Sequence, residues 1–294
     1  MKTYAIGVDI GATKTNFVLL RNWKVVRSKK TFTLKTKGKL IKAVEENIQK
    51  LIFGIPKSQI LGVGIGVTGP LNEKRNLILN PPNQKYLRLC PLAKIIKNDL
   101  SKDFKIKTKM DNDVNCFTSG EALLGAGKQA KSVLGITLGT GVGAGMVINK
   151  KLYRGNFGSA GEVGHMVIKF DGPKCACGSS GCFEEYGSGK FFKRKGVDPK
   201  ALSAEAGRGD KEALKIFREY GSFVGIGLSN AINLFDPEMV VLGGGIANAY
   251  SLFIKEAKEE MKKRIISPIA RKNVKIKRTK LGGLSTAIGA ALLL

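Results

Sequence analysis

A strand, a tight turn containing glycine and threonine, and a returning strand occur twice in this sequence, about 130 residues apart. In the first copy an apolar strand over residues 3–8 ends at Asp9, and a Gly-Ala-Thr-Lys turn leads into the apolar run 16–20. In the second copy, residues 133–138 and 144–148 flank a Gly-Thr-Gly-Val-Gly turn. Such a repeat predicts two similar domains that face each other, each built on the same supersecondary unit.

The rest of the chain alternates buried strands with amphipathic helices. The apolar patterns predict strands at 60–67, 106–110 and 239–242, and helices at 40–52, 211–235 and 251–265. This alternation is typical of an α/β protein. Because no low-complexity linker interrupts the chain, we expect the two domains to meet along a cleft without a long tether.

Composition excludes several classes of protein. Hydrophobic residues make up 43% of the 294 residues, enough to bury a core, so a disordered chain is excluded despite a formal charge of +27. No apolar run reaches the ~18 residues of a membrane span, and no signal peptide precedes the first strand, which predicts a cytoplasmic protein. The positive charge suggests nucleic acid or another anion as a partner, but it is spread along the chain. We expect a solvated, lysine-rich surface without a dedicated nucleic-acid site.

Phosphate chemistry is indicated by the two turns together. The first places the carboxylate of Asp9 before small residues, hydroxyls and an ammonium group, and Asp9 is a candidate holder of Mg²⁺ or its water. Paired with the second turn, it predicts a two-sided phosphate clamp, although each turn alone is equally typical of an ordinary hairpin. Residues 64–69 spell G-x-G-x-x-G, but Pro70 follows where a dinucleotide-binding fold needs a helix, and no Walker sequence occurs.

A cluster of acids and amides, Asp111-Asn112-Asp113-Val114-Asn115, follows the strand predicted at 106–110. Such a cluster suits a general base that takes a hydroxyl proton while its neighbours hold the substrate. The alternative is an Asx-rich turn or the N-cap of a following helix, both of which are common. The residues alone favour this structural interpretation over a general base.

A metal site is predicted by the spacing of the single histidine and three of the five cysteines. His165, Cys175, Cys177 and Cys182 match the four-ligand, closed shell of a structural zinc ion. Disulfides are the alternative. However, Cys175 and Cys177 are separated by a single residue, which makes an unstrained bridge between them difficult, and no export signal is present. Glu162 and Glu184 flank this cluster, where fixed carboxylates suit recognition of vicinal sugar hydroxyls.

Together these motifs resemble the ROK family of sugar kinases and repressors. The resemblance runs in order through residues 9–15, 111–115, 138–145, 158–165, 175–184 and 242–247. It implies the actin-like ATPase (ribonuclease H-like) fold, with two similar α/β domains around a cleft. The implied N-terminal domain consists of residues 1–115 joined by the C-terminal helix 284–294. The implied C-terminal domain consists of residues 116–283 and carries the zinc site. It also implies transfer of the γ-phosphoryl group of ATP to a hexose hydroxyl, usually on C6, with Mg²⁺ and structural Zn²⁺.

The resemblance assigns roles to individual residues. Asp113 is implied as the catalytic base, with sugar contacts from Gly69, Asn112, Glu162, His165 and Glu184, and with the histidine also ligating zinc. The implied phosphate and nucleotide contacts are Asp9, Gly11, Thr13, Lys14, Thr137, Gly139, Thr140, Gly141, Gly243 and Gly244. A homodimer or homotetramer is implied as well.

Three positions depart from the family pattern. Asp111 stands where many members have glutamate, Ala12 replaces a frequent second glycine, and residues 66–70 differ from the usual Gly-x-Pro-Gly. The last departure lies near the implied sugar site and therefore leaves the hexose open. Glucose is the expected substrate because it is a common one in the family, and N-acetylmannosamine, N-acetylglucosamine, fructose and mannose are alternatives. A sugar-responsive repressor is the rival from another class. It is expected to carry a DNA-binding domain ahead of the first phosphate strand, whereas only eight residues precede Asp9 in this sequence.

Overall fold

The computed structural model describes residues 3–101 and 106–294. Its strands are β1 (Tyr4–Ile10), β2 (Lys14–Arg21), β3 (Lys24–Phe32), β4 (Ile60–Val67), β5 (Lys107–Asn112), β6 (Ser132–Leu138), β7 (Val142–Ile148), β8 (Lys151–Tyr153), β9 (Met239–Gly243) and β10 (Lys275–Arg278). Its α-helices are α1 (Lys37–Leu51), α2 (Leu92–Ser101), α3 (Asp113–Leu123), α4 (Phe183–Gly187), α5 (Gly189–Arg194), α6 (Pro199–Gly207), α7 (Lys211–Phe235), α8 (Tyr250–Arg264), α9 (Pro268–Asn273) and α10 (Ser285–Ala291). The strands and helices predicted from the apolar patterns are confirmed, with bounds shifted by a few residues.

Two compact units divide the chain. The first contains residues 1–128, 150–160 and 280–294, and the second contains 129–149 and 161–279. The sequence places the boundary after Asn115, whereas the structure groups α3 with the first unit. The reason is local: α3 packs against α10 and β5, which are both in that unit.

The first unit is built on a five-stranded sheet in the order β3-β2-β1-β4-β5. The hairpin β1–β2 is antiparallel, and β4 and β5 add to β1 in parallel. Glycines let the C-terminal helix α10 approach this sheet closely, since a Cβ at Gly7 or Gly64 would overlap carbonyl oxygens of α10. Glu121 of α3 fixes the start of the same segment, because its buried carboxylate accepts hydrogen bonds from the backbone of Lys280 and Leu281.

The second unit repeats this arrangement. Its strands pair in the order β10-β9-β6-β7, in which β6 and β7 are antiparallel and β9 and β10 are parallel to β6. The order β7-β6-β9-β10 therefore matches β2-β1-β4-β5 of the first unit. The long helix α7 packs against α8 and α4 and buries an aromatic cluster that includes Phe217, Tyr220 and Phe253. The repeat seen in the sequence is thus a repeat of sheet topology.

Within residues 3–101 and 106–294, the structure contains no helix that is both long and apolar enough to cross a lipid bilayer.

Candidate functional site

The acidic residues of the first unit gather at the carboxyl ends of its parallel strands. Across the sheet, Asp9 on β1 pairs in register with Gly66 on β4, and Gly66 pairs with Asp111 on β5. Asp113 follows two residues later as the first residue of α3. Because parallel strands end at the same edge, these carboxylates share the edge at which ligands bind in open α/β sheets.

Asp113 is a partly buried carboxylate held in a fixed orientation. Thr68 Oγ1 donates a hydrogen bond to its Oδ2 at 3.0 Å, and the N–H of Val114 donates to its Oδ1 at 2.9 Å. Burial nevertheless outweighs both hydrogen bonds and raises the pKa of Asp113 to about 6. A carboxylate with such a pKa is ionised at neutral pH and is a stronger proton acceptor than an exposed aspartate.

Asn112 is the N-cap of α3. Its Oδ1 accepts hydrogen bonds from the N–H groups of Val114 at 2.9 Å and Asn115 at 3.3 Å. Its Nδ2 donates to the carbonyl of Gly69 at 3.3 Å, so the strand-to-helix turn is tied to the loop after β4. The N-cap interpretation of this cluster is therefore confirmed, and it leaves one amide hydrogen of Asn112 for another acceptor.

Asp9 lies at the end of β1, next to the first glycine turn. Asn16 Nδ2 donates to its Oδ2 at 3.0 Å, but burial and, to a lesser extent, the charge of Asp113 together raise the pKa of Asp9 to about 7. A buried carboxylate beside a second negative charge is a group that a hard cation would stabilise in its ionised form.

The first turn, between β1 and β2, is held by backbone contacts that leave its polar side chains exposed. The N–H of Gly11 donates to the carbonyl of Lys14 at 3.1 Å, and Thr33 Oγ1 donates to the carbonyl of Gly11 at 2.8 Å. The side chains of Thr13 and Lys14 are exposed at the turn. Hydroxyl and ammonium donors on a rigid turn are chemically suited to phosphate oxygens.

The second turn, between β6 and β7, is held by a carboxylate from α4. Glu184 Oε2 accepts a hydrogen bond from the N–H of Val142 at 3.1 Å, and Lys190 Nζ donates to its Oε1 at 2.8 Å. The N–H of Gly139 donates to the carbonyl of Gly141 at 3.0 Å, which closes the turn. Thr140 is exposed at its tip, and Thr137 Oγ1 donates to the carbonyl of Gly143 at 3.5 Å.

Residues Gly243 and Gly244 end β9 beside β6. Gly244 has a φ of +88°, and a Cβ at this position would overlap the backbone of Leu138. Glycine is therefore required at position 244 by both conformation and packing. The two glycines and the second turn lie at the ends of neighbouring strands of one sheet.

The predicted metal ligands come together in the second unit. One donor atom from each of His165, Cys175, Cys177 and Cys182 lies within 4.8 Å of every other. The Sγ of Cys175 is 3.7 Å from Nδ1 of His165, and the Sγ atoms of Cys177 and Cys182 are 3.6 Å apart. A tetrahedron with Zn–S bonds of about 2.3 Å has edges of about 3.8 Å, so this donor set fits zinc. All five cysteines are unbridged, which contradicts the disulfide alternative, and the two cysteines outside the cluster, Cys90 and Cys116, are buried.

The histidine presents its second nitrogen to Glu162. Its Nε2 is 4.0 Å from Oε2 of Glu162, whose side chain is 70% exposed. Since Nδ1 faces the cysteines, one imidazole offers one nitrogen to a metal and the other to a neighbouring polar group. Glu162 remains free to accept hydrogen bonds from a ligand, whereas Glu184 is engaged by Lys190 and the second turn.

Sequence reasoning missed four partners of these acidic residues: Arg75, Arg154, Thr68 and Lys190. Asp111 is fully buried and is ion-paired with Arg75 at 3.0 Å and with Arg154 at 2.7 Å. Thr68 and Lys190 hydrogen-bond Asp113 and Glu184, respectively. Thr68 stands in the stretch that departs from the family pattern, which was the one available signal. No sequence signal distinguishes Arg75, Arg154 or Lys190, because a lysine-rich chain offers too many cations for one to be selected.

Comparison with known proteins gives a family and a fold. The ROK family model matches residues 5–294. The chain is 30% identical over 311 residues to a glucokinase of Streptomyces coelicolor, covering 97% of this chain and 96% of that protein. It is 28% identical over 302 residues to a xylose repressor of Bacillus subtilis, covering 97% and 75%.

A solved structure extends this likeness to three dimensions. A ROK family glucokinase from Streptomyces griseus, in complex with glucose and AMPPNP, matches with a TM-score of 0.83 and 31% identity, covering 99% of this chain and 98% of that chain. The two mixed α/β sheets are accordingly those of the actin-like ATPase fold, as expected. With a family model matching nearly its whole length, the chain belongs to the ROK family.

Proposed function

We propose that this chain is an ATP-dependent sugar kinase that transfers the γ-phosphoryl group to the 6-hydroxyl of a hexose, with glucose as the expected substrate. The observation that carries the proposal is Asp113, a partly buried carboxylate with a pKa raised to about 6 at the carboxyl edge of the first sheet. The likeness to glucokinases of the same family supports it.

Asp113 would act as the base. As the hydroxyl oxygen of the sugar attacks the γ-phosphorus, its proton passes to Oδ1 or Oδ2 of Asp113, and the bond from the γ-phosphorus to the bridging oxygen of ADP breaks. Thr68 and the N–H of Val114 hold the carboxylate in place during this transfer. Phosphoryl transfer depends mainly on such positioning and on neutralising charge.

The two glycine turns would bind the nucleotide. Thr13 and Lys14 of the first turn are exposed donors, and Thr140 occupies the same place in the second turn. With Gly11, Thr137, Gly139 and Gly141 they form the proposed phosphate contacts, and Gly243 and Gly244 are the proposed neighbours of the adenosine. Mg²⁺, for which Asp9 is the proposed ligand or water-mediated contact, would neutralise phosphate charge when bound.

The sugar would be recognised by the hydroxyl-binding groups around the metal site and at the start of α3. Glu162, His165 Nε2 and the free amide hydrogen of Asn112 offer both acceptors and donors for vicinal hydroxyls. Gly69 and Glu184 are the remaining proposed contacts. Zinc bound by the four-residue cluster would fix the loop that carries Glu162 and His165.

The rival function is a sugar-responsive regulator, which the likeness to a xylose repressor supports. The two functions differ in one product, since only the kinase releases ADP. Kinases for other hexoses remain alternatives at the level of substrate, and the expected dimer or tetramer stays a prediction.

The test is ADP release by the zinc-loaded protein with MgATP, assayed with glucose, mannose, fructose, N-acetylglucosamine and N-acetylmannosamine. We expect sugar-dependent release with at least one of them. The Asp113→Asn variant is expected to lose activity by at least about a hundredfold, because general base catalysis contributes that much.

Asp210→Asn is the matched control. Asp210 is the exposed N-cap of α7, and asparagine caps a helix equally well, so this variant should keep full activity. A protein that binds a sugar by calorimetry but releases no ADP with any hexose would contradict the kinase and support the regulator. Near-native kcat in Asp113→Asn would contradict the assignment of the base.

A further inference from the structure

A cavity of about 710 Å³ in the first unit lies apart from the predicted phosphate and sugar residues. Its walls are the edge strand β5, one side of α2, the loop after β4 and Arg154 from the segment after β8. None of the residues predicted to contact nucleotide or sugar lines it. The volume is within the range of pockets that bind small molecules.

The lining is strongly positive. Its cations are Lys74, Arg75, Lys94, Lys97, Lys109 and Arg154, and its one acid is Asp111. The two arginines pair with that carboxylate, which is fully buried. Within residues 3–101 and 106–294, none of the four lysines has an acidic partner, so most of the positive charge of the cavity is uncompensated.

The two arginines of the cavity are held where they can meet a polar ligand. The buried pairs with Asp111 hold both guanidinium groups at fixed positions, and each guanidinium retains N–H groups that Asp111 does not use.

We propose that this cavity binds a small molecule that carries two or more phosphate groups. Phosphate is favoured because arginine forks match its oxygens and because each group brings close to two negative charges into a limited volume. Lys94 and Lys97, three residues apart on α2, provide ammonium donors from one helix face. The site is distinct from the proposed ATP contacts on the two glycine turns.

The first experiment measures binding of tripolyphosphate to the full chain by calorimetry, with the proposed nucleotide site saturated by MgAMPPNP. We expect binding that persists in AMPPNP and in the Asp113→Asn variant. A Lys94→Gln/Lys97→Gln double variant should weaken it by at least about tenfold, because each lost ammonium group removes charge-assisted hydrogen bonds. These lysines are exposed, so the variant is expected to fold.

The matched control is Lys29→Gln/Lys30→Gln, which removes the same charge from exposed positions on β3, at the opposite edge of the sheet. It should leave the affinity unchanged. Equal weakening in both double variants, displacement by AMPPNP, or tighter binding of a single-stranded oligonucleotide would each overturn the proposal. Fructose 1,6-bisphosphate and citrate are further probes, and tighter binding of citrate than of either phosphate compound would overturn the choice of phosphate. If the chain shows no kinase activity but still binds tripolyphosphate in this cavity, the proposed function fails and this inference holds.

Discussion

Replacing Asp113 with asparagine is expected to abolish activity and, at the same time, to stabilise the folded protein at neutral pH. The reason is the burial of this carboxylate, which raises its pKa from 3.8 to about 6. Ionising it in the folded chain is therefore harder than in the unfolded chain. A neutral amide of the same shape avoids that cost.

The size of the effect follows from the shift. Each pKa unit corresponds to about 1.4 kcal/mol, so ionised Asp113 destabilises the folded state by at most about 3 kcal/mol. Its carboxylate also sits in the first turn of α3, where a negative charge gains about 0.3–1 kcal/mol from the helix dipole. We therefore expect Asp113→Asn to raise the free energy of unfolding by about 1–3 kcal/mol near pH 8.

The sign of the pH dependence is fixed by the direction of the shift. Below pH 3.8 the aspartic acid is protonated in both states, so wild type and variant should be equally stable. Between pH 3.8 and about 6 the unfolded wild type ionises while the folded wild type keeps its proton, so the wild type loses stability that the variant keeps, and the loss is complete once the pH has risen through about 6. Activity runs the other way, because the base works only when ionised, and should fall about tenfold per pH unit below 6.

The assay is urea unfolding of both proteins at several pH values, beside the pH profile of kcat/KM. Asp210→Asn again serves as the control and should keep the activity of the wild type. A variant that is less stable than wild type at pH 8, or a stability difference that does not depend on pH, would refute the reasoning. In the same assay Thr68→Val should move the acidic limb of activity to higher pH by roughly one unit, since it removes a hydrogen bond that lowers the pKa of Asp113.

Three other changes test the metal site and the packing. Cys177→Ser should remove bound zinc, as measured by metal analysis, whereas Ala176→Ser next to it should not; zinc retained in the first variant would contradict the four-ligand site. Gly64→Ala should lower the free energy of unfolding by about 1–3 kcal/mol because its Cβ would overlap the backbone of α10. Gly38→Ala is the control, since open space surrounds Gly38, and it should raise the free energy of unfolding by up to about 1 kcal/mol. Tyr220→Phe should cost about 1 kcal/mol in thermal or urea unfolding, because its buried hydroxyl donates to a backbone carbonyl of α4 at 2.8 Å.

Much of the fold could be predicted because its signals are local. The hairpins β1–β2 and β6–β7 join neighbouring segments, so an apolar run, a glycine turn and a second apolar run are enough to predict them. The parallel strand β4 is a continuous apolar stretch, as buried parallel strands are. The metal cluster is also visible in the sequence, because three of its ligands lie within eight residues of one another.

What could not be predicted depends on contacts between distant parts of the chain. Glu121 reads as an ordinary helical glutamate, yet its carboxylate is buried against backbone N–H groups some 160 residues later. Those contacts place α3 with α10 and move the boundary of the first unit beyond Asn115. Likewise, Glu184 looks like a free carboxylate, but Lys190 and the second turn occupy its oxygens.

Asp111 connects the candidate base to the positive cavity. Its carboxylate accepts from the N–H of Asn112 at 2.8 Å and so fixes the residue that caps α3 and precedes Asp113. The same carboxylate anchors Arg75 and Arg154, which form the inner wall of the cavity. A buried carboxylate paired with only one arginine would be poorly compensated. The turn before Asp113 and the position of the arginines therefore both depend on the two ion pairs of Asp111. Asp111 therefore belongs to a network that holds the turn of Asp113 on one side and the two arginines of the cavity on the other. Two of the cations that the sequence shows only as a diffuse excess are thus held in place by one buried acid.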